Sequence, residues 1–147
     1  MSLEIPVRLV LVKPPAGVAF GIQKGRGAKY ETVLVQLSGK GDLQFDFALE
    51  LKSAPGGAPN FVGPFAQGPP SDRFVYVGVG TFAGQMDSCW SRRIKVPLKG
   101  ISKTLLRDVS SKPGHLLVAS IPGAGRDGTP SCATVRPLSD WKVAKAG

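Results

Sequence analysis

The stretch from Asp42 to Lys52, DLQFDFALELK, decides the fold class because its hydrophobic residues recur at every second position. Charged and polar residues occupy nearly all of the alternate positions. A repeat of two is that of a β-strand with one face on a core and the other in water. The stretch therefore predicts an antiparallel strand that is covered on one side. Its apolar face comprises Leu43, Phe45, Phe47, Leu49 and Leu51.

Similar stretches recur along the chain, separated by glycine and proline. PVRLVLVK (6–13) alternates, and RFVYVGVGTF (73–82) is apolar on both faces, which predicts a strand in the middle of a sandwich. Weaker strand candidates are VAFGIQ, ETVLVQL, RRIKVPL, HLLVASI and SCATVRPL. Glycines and prolines, 19 and 13 in number, occur too often for long helices.

One segment, GISKTLLRDV (100–109), has a helical repeat. Ile101, Leu105 and Val109 stand at i, i+4 and i+8, so one face of a short helix would cover a sheet. The predicted fold class is therefore all-β, a mainly antiparallel β-sandwich or small barrel, with one short α-helix near 100–109.

Length and composition predict a single β-rich domain over residues 1–147 that needs no metal or disulfide to fold. The apolar run near the N-terminus is interrupted by Arg8 and closed by Lys13, which predicts no membrane span and a cytoplasmic protein. Cys89 and Cys132 are then expected to be reduced, although a bridge between them is the alternative.

Charge is unevenly distributed. The net charge is +9, and the cations concentrate in residues 24–29 and in residues 86–112. Such a domain would attract anionic partners through its field, and solubility alone is the competing explanation.

The first basic segment is GIQKGRGAKYE (21–31). Its glycine spacing does not match a phosphate-binding Walker loop, and Tyr30 stands where the last glycine of a dinucleotide-binding fingerprint would be. Two interpretations remain: an anion contact made by Lys24, Arg26 and Lys29, or a hairpin loop kept wet by its lysines.

Two further loops carry candidate ligand contacts. In GQMDSCWSRR (84–93), Trp90 could stack on a sugar or a base. Arg92 or Arg93 could bind a carboxylate or phosphate through two hydrogen bonds. Adjacent arginines on a strand lie on opposite faces, so only one of them would enter a pocket. The alternative is that Trp90 closes the end of a core. Arg126 lies in a glycine-rich loop that otherwise indicates a wide hairpin.

Residues suited to catalysis are few. His115 is the only histidine, and no cysteine or histidine spacing indicates zinc, so neither a metal site nor a cofactor is predicted. Asp42, Asp46 and Glu50 lie at even spacing on the polar face of one strand, where solvation explains them better than paired-carboxylate hydrolysis.

Motifs along most of the chain resemble those of a family of small uncharacterised bacterial proteins classed as a domain of unknown function. The resemblance lies in the order of QKGRGAKYETV, DLQFDFALELK, PNFVGPFAQGPPSDRFVYVGVGT, AGQMDSCWSRRIKVPL and PSCATVRP, followed by Trp141. It implies a single-domain bacterial protein, and it brings no activity, cofactor or functional residue with it.

The leading functional hypothesis is a noncatalytic module that binds an anionic or sugar-like small ligand. It requires three loops to gather at one end of the fold. Their contact residues would be Lys24, Arg26 and Lys29, then Trp90 with Arg92 or Arg93, and finally Arg126.

Two other functions and a null hypothesis compete with it. The second is an OB-like module that stacks nucleic-acid bases on Phe74 and Tyr76, which requires both rings to be exposed. The third is a hydrolase or isomerase that uses Asp87, Cys89 and His115. The null is an interaction domain whose charge serves solubility alone.

Overall fold

The computed structural model describes most of the chain. The described residues are 2–14, 16–26, 29–52, 60–69, 72–79, 92–98, 100–122 and 141–145. Within them the elements are β1 (Ser2–Val12), β2 (Ala19–Arg26), β3 (Lys29–Leu37), β4 (Leu43–Lys52), β5 (Asn60–Val62), β6 (Phe74–Val79), β7 (Arg92–Pro97), α1 (Lys103–Ser111), β8 (His115–Pro122) and β9 (Lys142–Lys145).

The strands form two sheets. Sheet A has the order β5-β4-β1-β8-β9, and sheet B has the order β3-β2-β6-β7. All pairings within them are antiparallel except that of β1 with β8. The fold class predicted from the sequence is confirmed in its sandwich form, since the strands of the described residues do not close into a barrel.

Sheet A is built around β1, whose odd-numbered residues face the core. Ile5, Val7, Leu9 and Leu11 are almost completely buried, whereas the residues between them are half-buried or exposed. The stretch DLQFDFALELK contains β4, and Phe45 of this strand stands directly opposite Leu9. The alternation that decides the fold class is thus the pattern by which β4 and β1 cover the same side of the core.

Sheet B supplies the other half of the core. β6 lies between β2 and β7, as its apolar character on both faces predicts. Its core-facing residues are Val75 and Val77, which join the same buried cluster as Phe20 and Ile22 of β2, Ile94 and Val96 of β7, and the inner residues of sheet A.

Helix α1 closes one part of this core. Ser102 caps it, because the Ser102 hydroxyl accepts a hydrogen bond from the Leu105 amide at 3.2 Å. Its buried residues are Leu106 and Val109, and Leu105 is only partly buried. The predicted helix is therefore present, although Ile101 precedes it. Ile101 and Val109 are buried as predicted, and Leu106 is more deeply buried than Leu105.

A β-bulge shapes the pairing of β2 with β3. Gly21 stands opposite two residues of β3, since the register moves from Phe20 with Gln36 to Ile22 with Val33. Leu34, in the bulge, has φ of 54°. A Cβ at Gly21 would lie 2.5 Å from the Thr32 side chain and 2.9 Å from the Val33 carbonyl oxygen. Glycine is therefore required here by close approach of the neighbouring strand.

Two short strands were not predicted. β5 and β9 extend opposite edges of sheet A, and β9 begins directly after Trp141, which donates from its indole Nε1 to the Pro97 carbonyl oxygen at 3.2 Å. The candidate strand SCATVRPL lies outside the described residues. Among the described residues, no helix has the length and apolar character needed to cross a membrane.

Candidate functional site

The first basic segment forms the end of the β2–β3 hairpin. Lys24 pairs with Glu31, Gly25 with Tyr30, and Arg26 with Lys29. Residues that stand directly opposite each other share a face, and every second residue of a strand returns to that face. Positions 24, 26, 29 and 31 therefore lie on one face of the hairpin, with three cations and one carboxylate among them.

The charges on this face are incompletely balanced. Lys24 Nζ lies 3.9 Å from a carboxylate oxygen of Glu31, and the two side chains are 38% and 72% exposed. An ion pair this long and this exposed holds its partners weakly. The backbone register also puts position 26, an arginine, directly opposite position 29, a lysine.

The turn end of the hairpin is bonded to the segment that leads from sheet A to sheet B. The Gly25 amide donates to the Pro64 carbonyl oxygen at 2.9 Å. The buried side chain of Gln67 donates from Nε2 to the same oxygen at 2.7 Å and lies 3.5 Å from the Gly25 carbonyl oxygen. Gln67 also pairs through its backbone with Phe74 of β6. These bonds join the backbone at Gly25 to the segment that connects the two sheets.

The remaining predicted contact residues do not join this face. Arg92 and Arg93 stand opposite Val79 and Gly78 of β6, respectively. On the other side of β6, Gly78 pairs with Gly21 of β2. From Gly21 to the hairpin end at Arg26 is five residues, or about 16 Å of strand. The backbone positions of Arg92 and Arg93 are therefore at the opposite end of sheet B. Trp90 and Arg126 lie outside the described residues.

The aromatic pair considered for base stacking is largely covered. Phe74 is 8% exposed, its ring centroid is 4.8 Å from that of Tyr76, and Lys95 Nζ lies 4.2 Å from the same ring centroid. Stacking on nucleic-acid bases requires a free aromatic face. Phe74 does not provide one, because its own neighbours already occupy it.

The residues considered for catalysis are not assembled within the described part of the chain. His115 begins β8, is half-buried, and has its Nδ1 3.3 Å from the Pro113 carbonyl oxygen. Asp87 and Cys89, its suggested partners, lie outside the described residues, as does Cys132. The described residues contain no group of three or more histidine, cysteine, aspartate or glutamate side chains placed to hold a metal ion.

The carboxylates on the polar face of β4 have structural partners. Arg8 of β1 binds Asp46 through two hydrogen bonds, of 2.7 Å from Nε and 3.0 Å from Nη2. The hydrogen bond from Arg8 lowers the pKa of Asp46, and the bond to Asp46 raises the pKa of Arg8. Asp42 accepts a hydrogen bond from the Lys13 amide at 2.8 Å. Both carboxylates thus hold strands together.

A small cavity lies where β1, β4 and β5 meet the segment after β5. Its volume is about 240 Å³, and its lining is Glu4, Ala48, Glu50, Val62, Pro64 and Phe65. Glu4 and Glu50 stand directly opposite each other, so the polar part of the lining is acidic. An anion would be repelled from it. The cavity therefore does not extend the basic face, although Pro64 contributes to both.

Sequence reasoning missed the residues that anchor the hairpin and those that line the cavity. Gln67 is a single glutamine in a glycine- and proline-rich stretch, and nothing in the local pattern distinguishes it from a solvated loop residue. The only available signal was the resemblance of GPFAQGPP to a motif in the family, which gave no role for any residue.

Comparison with known proteins gives one match. Residues 5–144 match the family described as Family of unknown function (DUF5990). The chain belongs to this family. The resemblance seen in its motifs is thereby confirmed, and the family description assigns no activity. No curated protein and no solved structure matches the chain.

Proposed function

We propose that this member of the family is a noncatalytic binding module whose β2–β3 hairpin binds a small anion, such as a carboxylate, a nucleotide or a phosphorylated sugar. The observation that carries the proposal is the register of the hairpin. It places Lys24, Arg26 and Lys29 on one face with Glu31 as the only carboxylate.

An anion would suit the register at the end of the hairpin. Cations at directly opposed strand positions, such as 26 and 29, generally destabilise a strand pair unless an opposite charge lies between them. A phosphate or carboxylate accepts charge-assisted hydrogen bonds from both kinds of side chain. The bound anion would thus lie between Arg26 and Lys29 and interact favourably with both cations.

The frame around this face is suited to a ligand that binds without large rearrangement. Pro64 and Gln67 hold Gly25, which lies between Lys24 and Arg26, by backbone and side-chain hydrogen bonds. A fixed backbone reduces the entropy lost when a ligand binds. The weak bond from Lys24 to Glu31 leaves the lysine free to exchange partners.

A thermal-shift titration tests the proposal. The protein is heated with inorganic phosphate, citrate, nucleotides, phosphorylated and neutral sugars, each at low and moderate salt. A ligand at about 100 times its dissociation constant stabilises the fold by about 2.7 kcal/mol. For a chain of this size the unfolding midpoint would rise by roughly 5–11 °C.

Alanine variants locate the site. Arg26→Ala and Lys29→Ala are expected to abolish the shift, and Lys24→Ala to reduce it. Lys40→Ala is the matched control, because Lys40 is an exposed cation between β3 and β4 and outside the hairpin face. Retention of the full shift in both Arg26→Ala and Lys29→Ala, or no shift with any ligand in the panel, would contradict the proposal.

A further inference from the structure

A second basic surface begins on the solvent-facing side of α1. Leu106 and Val109 are buried in the core, whereas Lys103 and Arg107, one turn apart, are exposed. Exposed hydroxyl residues complete that side of the helix, and these are Thr104, Ser110 and Ser111. Asp108, the acidic residue of α1, is half-buried and stands one helical turn before Lys112.

Two more cations adjoin the C-terminal end of α1. The His115 amide donates to the Lys112 carbonyl oxygen at 3.2 Å, and His115 stands directly opposite Lys145 of β9. His115 and Lys145 have the strand parity of Leu117 and Val143, which face the core side of sheet A where α1 packs. Lys112 and Lys145 are both exposed. We define the helix surface as Lys103, Arg107, Lys112 and Lys145.

The four cations take no part in the ion pairs found among the described residues. Those pairs are Arg8 with Asp46 and Lys24 with Glu31. Lys103 also lies in the first turn of α1, where the positive end of the helix dipole disfavours a cation. A residue that costs local stability in this way is expected where a surface serves binding.

We propose that the helix surface binds the phosphate backbone of nucleic acid without reading its sequence. Lys103 and Arg107 are one turn apart, with a rise of about 6 Å along α1. Phosphates of one strand are spaced at roughly 3.4 Å along a duplex axis, so these two cations are separated by about the spacing of every second phosphate. Lysine, arginine, serine and threonine are the side chains that contact phosphate oxygens in protein–DNA complexes.

The same observations argue against a lipid surface. A helix that lies on a membrane inserts an apolar face, and the apolar face of α1 is already buried in the protein core. Large exposed hydrophobic residues of the described chain lie elsewhere, on β1 and β3; they are Leu3, Val12, Leu34, Val35 and Leu37. None of these five residues belongs to α1, β8 or β9.

The experiment measures binding of the full chain to a fluorescent 20-base-pair duplex by anisotropy at rising salt. Arg107→Glu and Lys145→Glu are compared with Lys40→Glu and Lys52→Glu, which make the same change in net charge at exposed positions outside the helix surface. Two duplexes of unrelated sequence, and vesicles containing phosphatidylserine, are run beside them. Arg107→Gln and Lys145→Gln replace the glutamate variants if those fail to fold.

Four neutralised phosphates give a slope of log affinity against log salt of roughly −3.6 on duplex DNA. We expect Arg107→Glu and Lys145→Glu to weaken binding at least about tenfold and to flatten the slope by about one, with the two duplexes bound alike. Equal weakening by all four reversals would overturn the proposal by showing attraction to net charge alone. No binding at about 50 mM salt, or an effect of Arg107→Glu on vesicles but not on DNA, would overturn it equally.

Discussion

In the β1–β4 ladder Arg8 stands directly opposite Asp46, whereas in the β2–β3 hairpin Arg26 stands directly opposite Lys29. Both pairs occur in antiparallel strands of the same molecule. In the first, the opposite charge is supplied by the chain and is bound at 2.7 Å. In the second, the register supplies another cation. The comparison shows that the same strand arrangement joins opposite charges in one pair and opposes like charges in the other, and the anion site proposed above depends on this difference.

The largest expected effect comes from breaking the hairpin at its bulge. Gly21→Ala would place a Cβ 2.5 Å from the Thr32 side chain and 2.9 Å from the Val33 carbonyl oxygen. Such overpacking costs about 1–3 kcal/mol, and contact with backbone puts this site at the upper end. Urea unfolding measures the loss, and hydrogen exchange would show it concentrated in β2 and β3 while the β1–β4 ladder keeps its protection.

Gly39→Ala is the control for that variant. A Cβ at Gly39 meets no atom within 4 Å, so the same substitution there is expected to change stability by less than about 0.5 kcal/mol. Equal losses at Gly21 and Gly39 would show that close approach of β3 does not explain the glycine.

A smaller loss is expected when the anchor of the hairpin is removed. Gln67→Leu deletes the buried amide that donates to the Pro64 carbonyl oxygen, and the free energy of unfolding should fall by about 1–2 kcal/mol. The matched control is Gln36→Leu, because Gln36 makes a 2.7 Å bond to the Gln44 carbonyl oxygen in an exposed setting. Denaturant titration that gave Gln36→Leu the larger loss would contradict this assignment.

Reversing the charge at Lys29 should give the β2–β3 hairpin an opposite-charge pair like that of Arg8 and Asp46 between β1 and β4. Lys29→Glu places a carboxylate opposite Arg26, and an opposite-charge pair there should raise the free energy of unfolding by about 0.2–1 kcal/mol. Anion binding should be lost in the same variant, because the face then carries balanced charge. Lys40→Glu makes the same net change outside the hairpin, and equal stabilisation by the two variants would attribute the gain to net charge alone.

The smallest effect concerns the paired charge. Arg8 lowers the pKa of Asp46 in the folded protein, so the pair stabilises the fold above the unfolded pKa of about 3.9. That contribution is lost as the pH falls through the lowered folded pKa. Asp46→Asn should remove this part of the acid sensitivity and have no such effect in an Arg8→Gln background. The measurement is the unfolding midpoint of both proteins between about pH 2 and pH 6. An identical loss of stability with falling pH in the wild-type protein and Asp46→Asn would contradict this role for the pair.

Strong periodic signals made the long elements of the fold predictable from sequence. β4 follows from strict alternation, β6 from apolar character on both faces, and α1 from an apolar residue at every turn. β5 and β9 were missed because three or four residues are too few to establish a repeat. In β2, the strand candidate VAFGIQ includes Gly21, but the reason for a glycine at that position is a close contact that only the folded pairing creates.

The candidate site was predictable in part. The residue types of the basic hairpin were evident, but the exact opposition of Arg26 and Lys29 depends on a register that is set by a bulge. The loops grouped with it could not be placed from local sequence, because strand order and direction put the start of β7 at the other end of sheet B. The cavity beside Pro64 combines residues from three strands that no local pattern relates.

The parallel pairing of β1 with β8 also means that the ribosome completes β1 long before it completes the partner strand. Val12 pairs with Pro122, about 110 residues later in the chain. At about 5–20 residues per second, a nascent β1 waits roughly 5–20 s for this partner to be translated. During that interval one edge of the central strand of sheet A stays open to association with other chains. The parallel neighbour of β1 can therefore be added only after residues 115–122 have been synthesised.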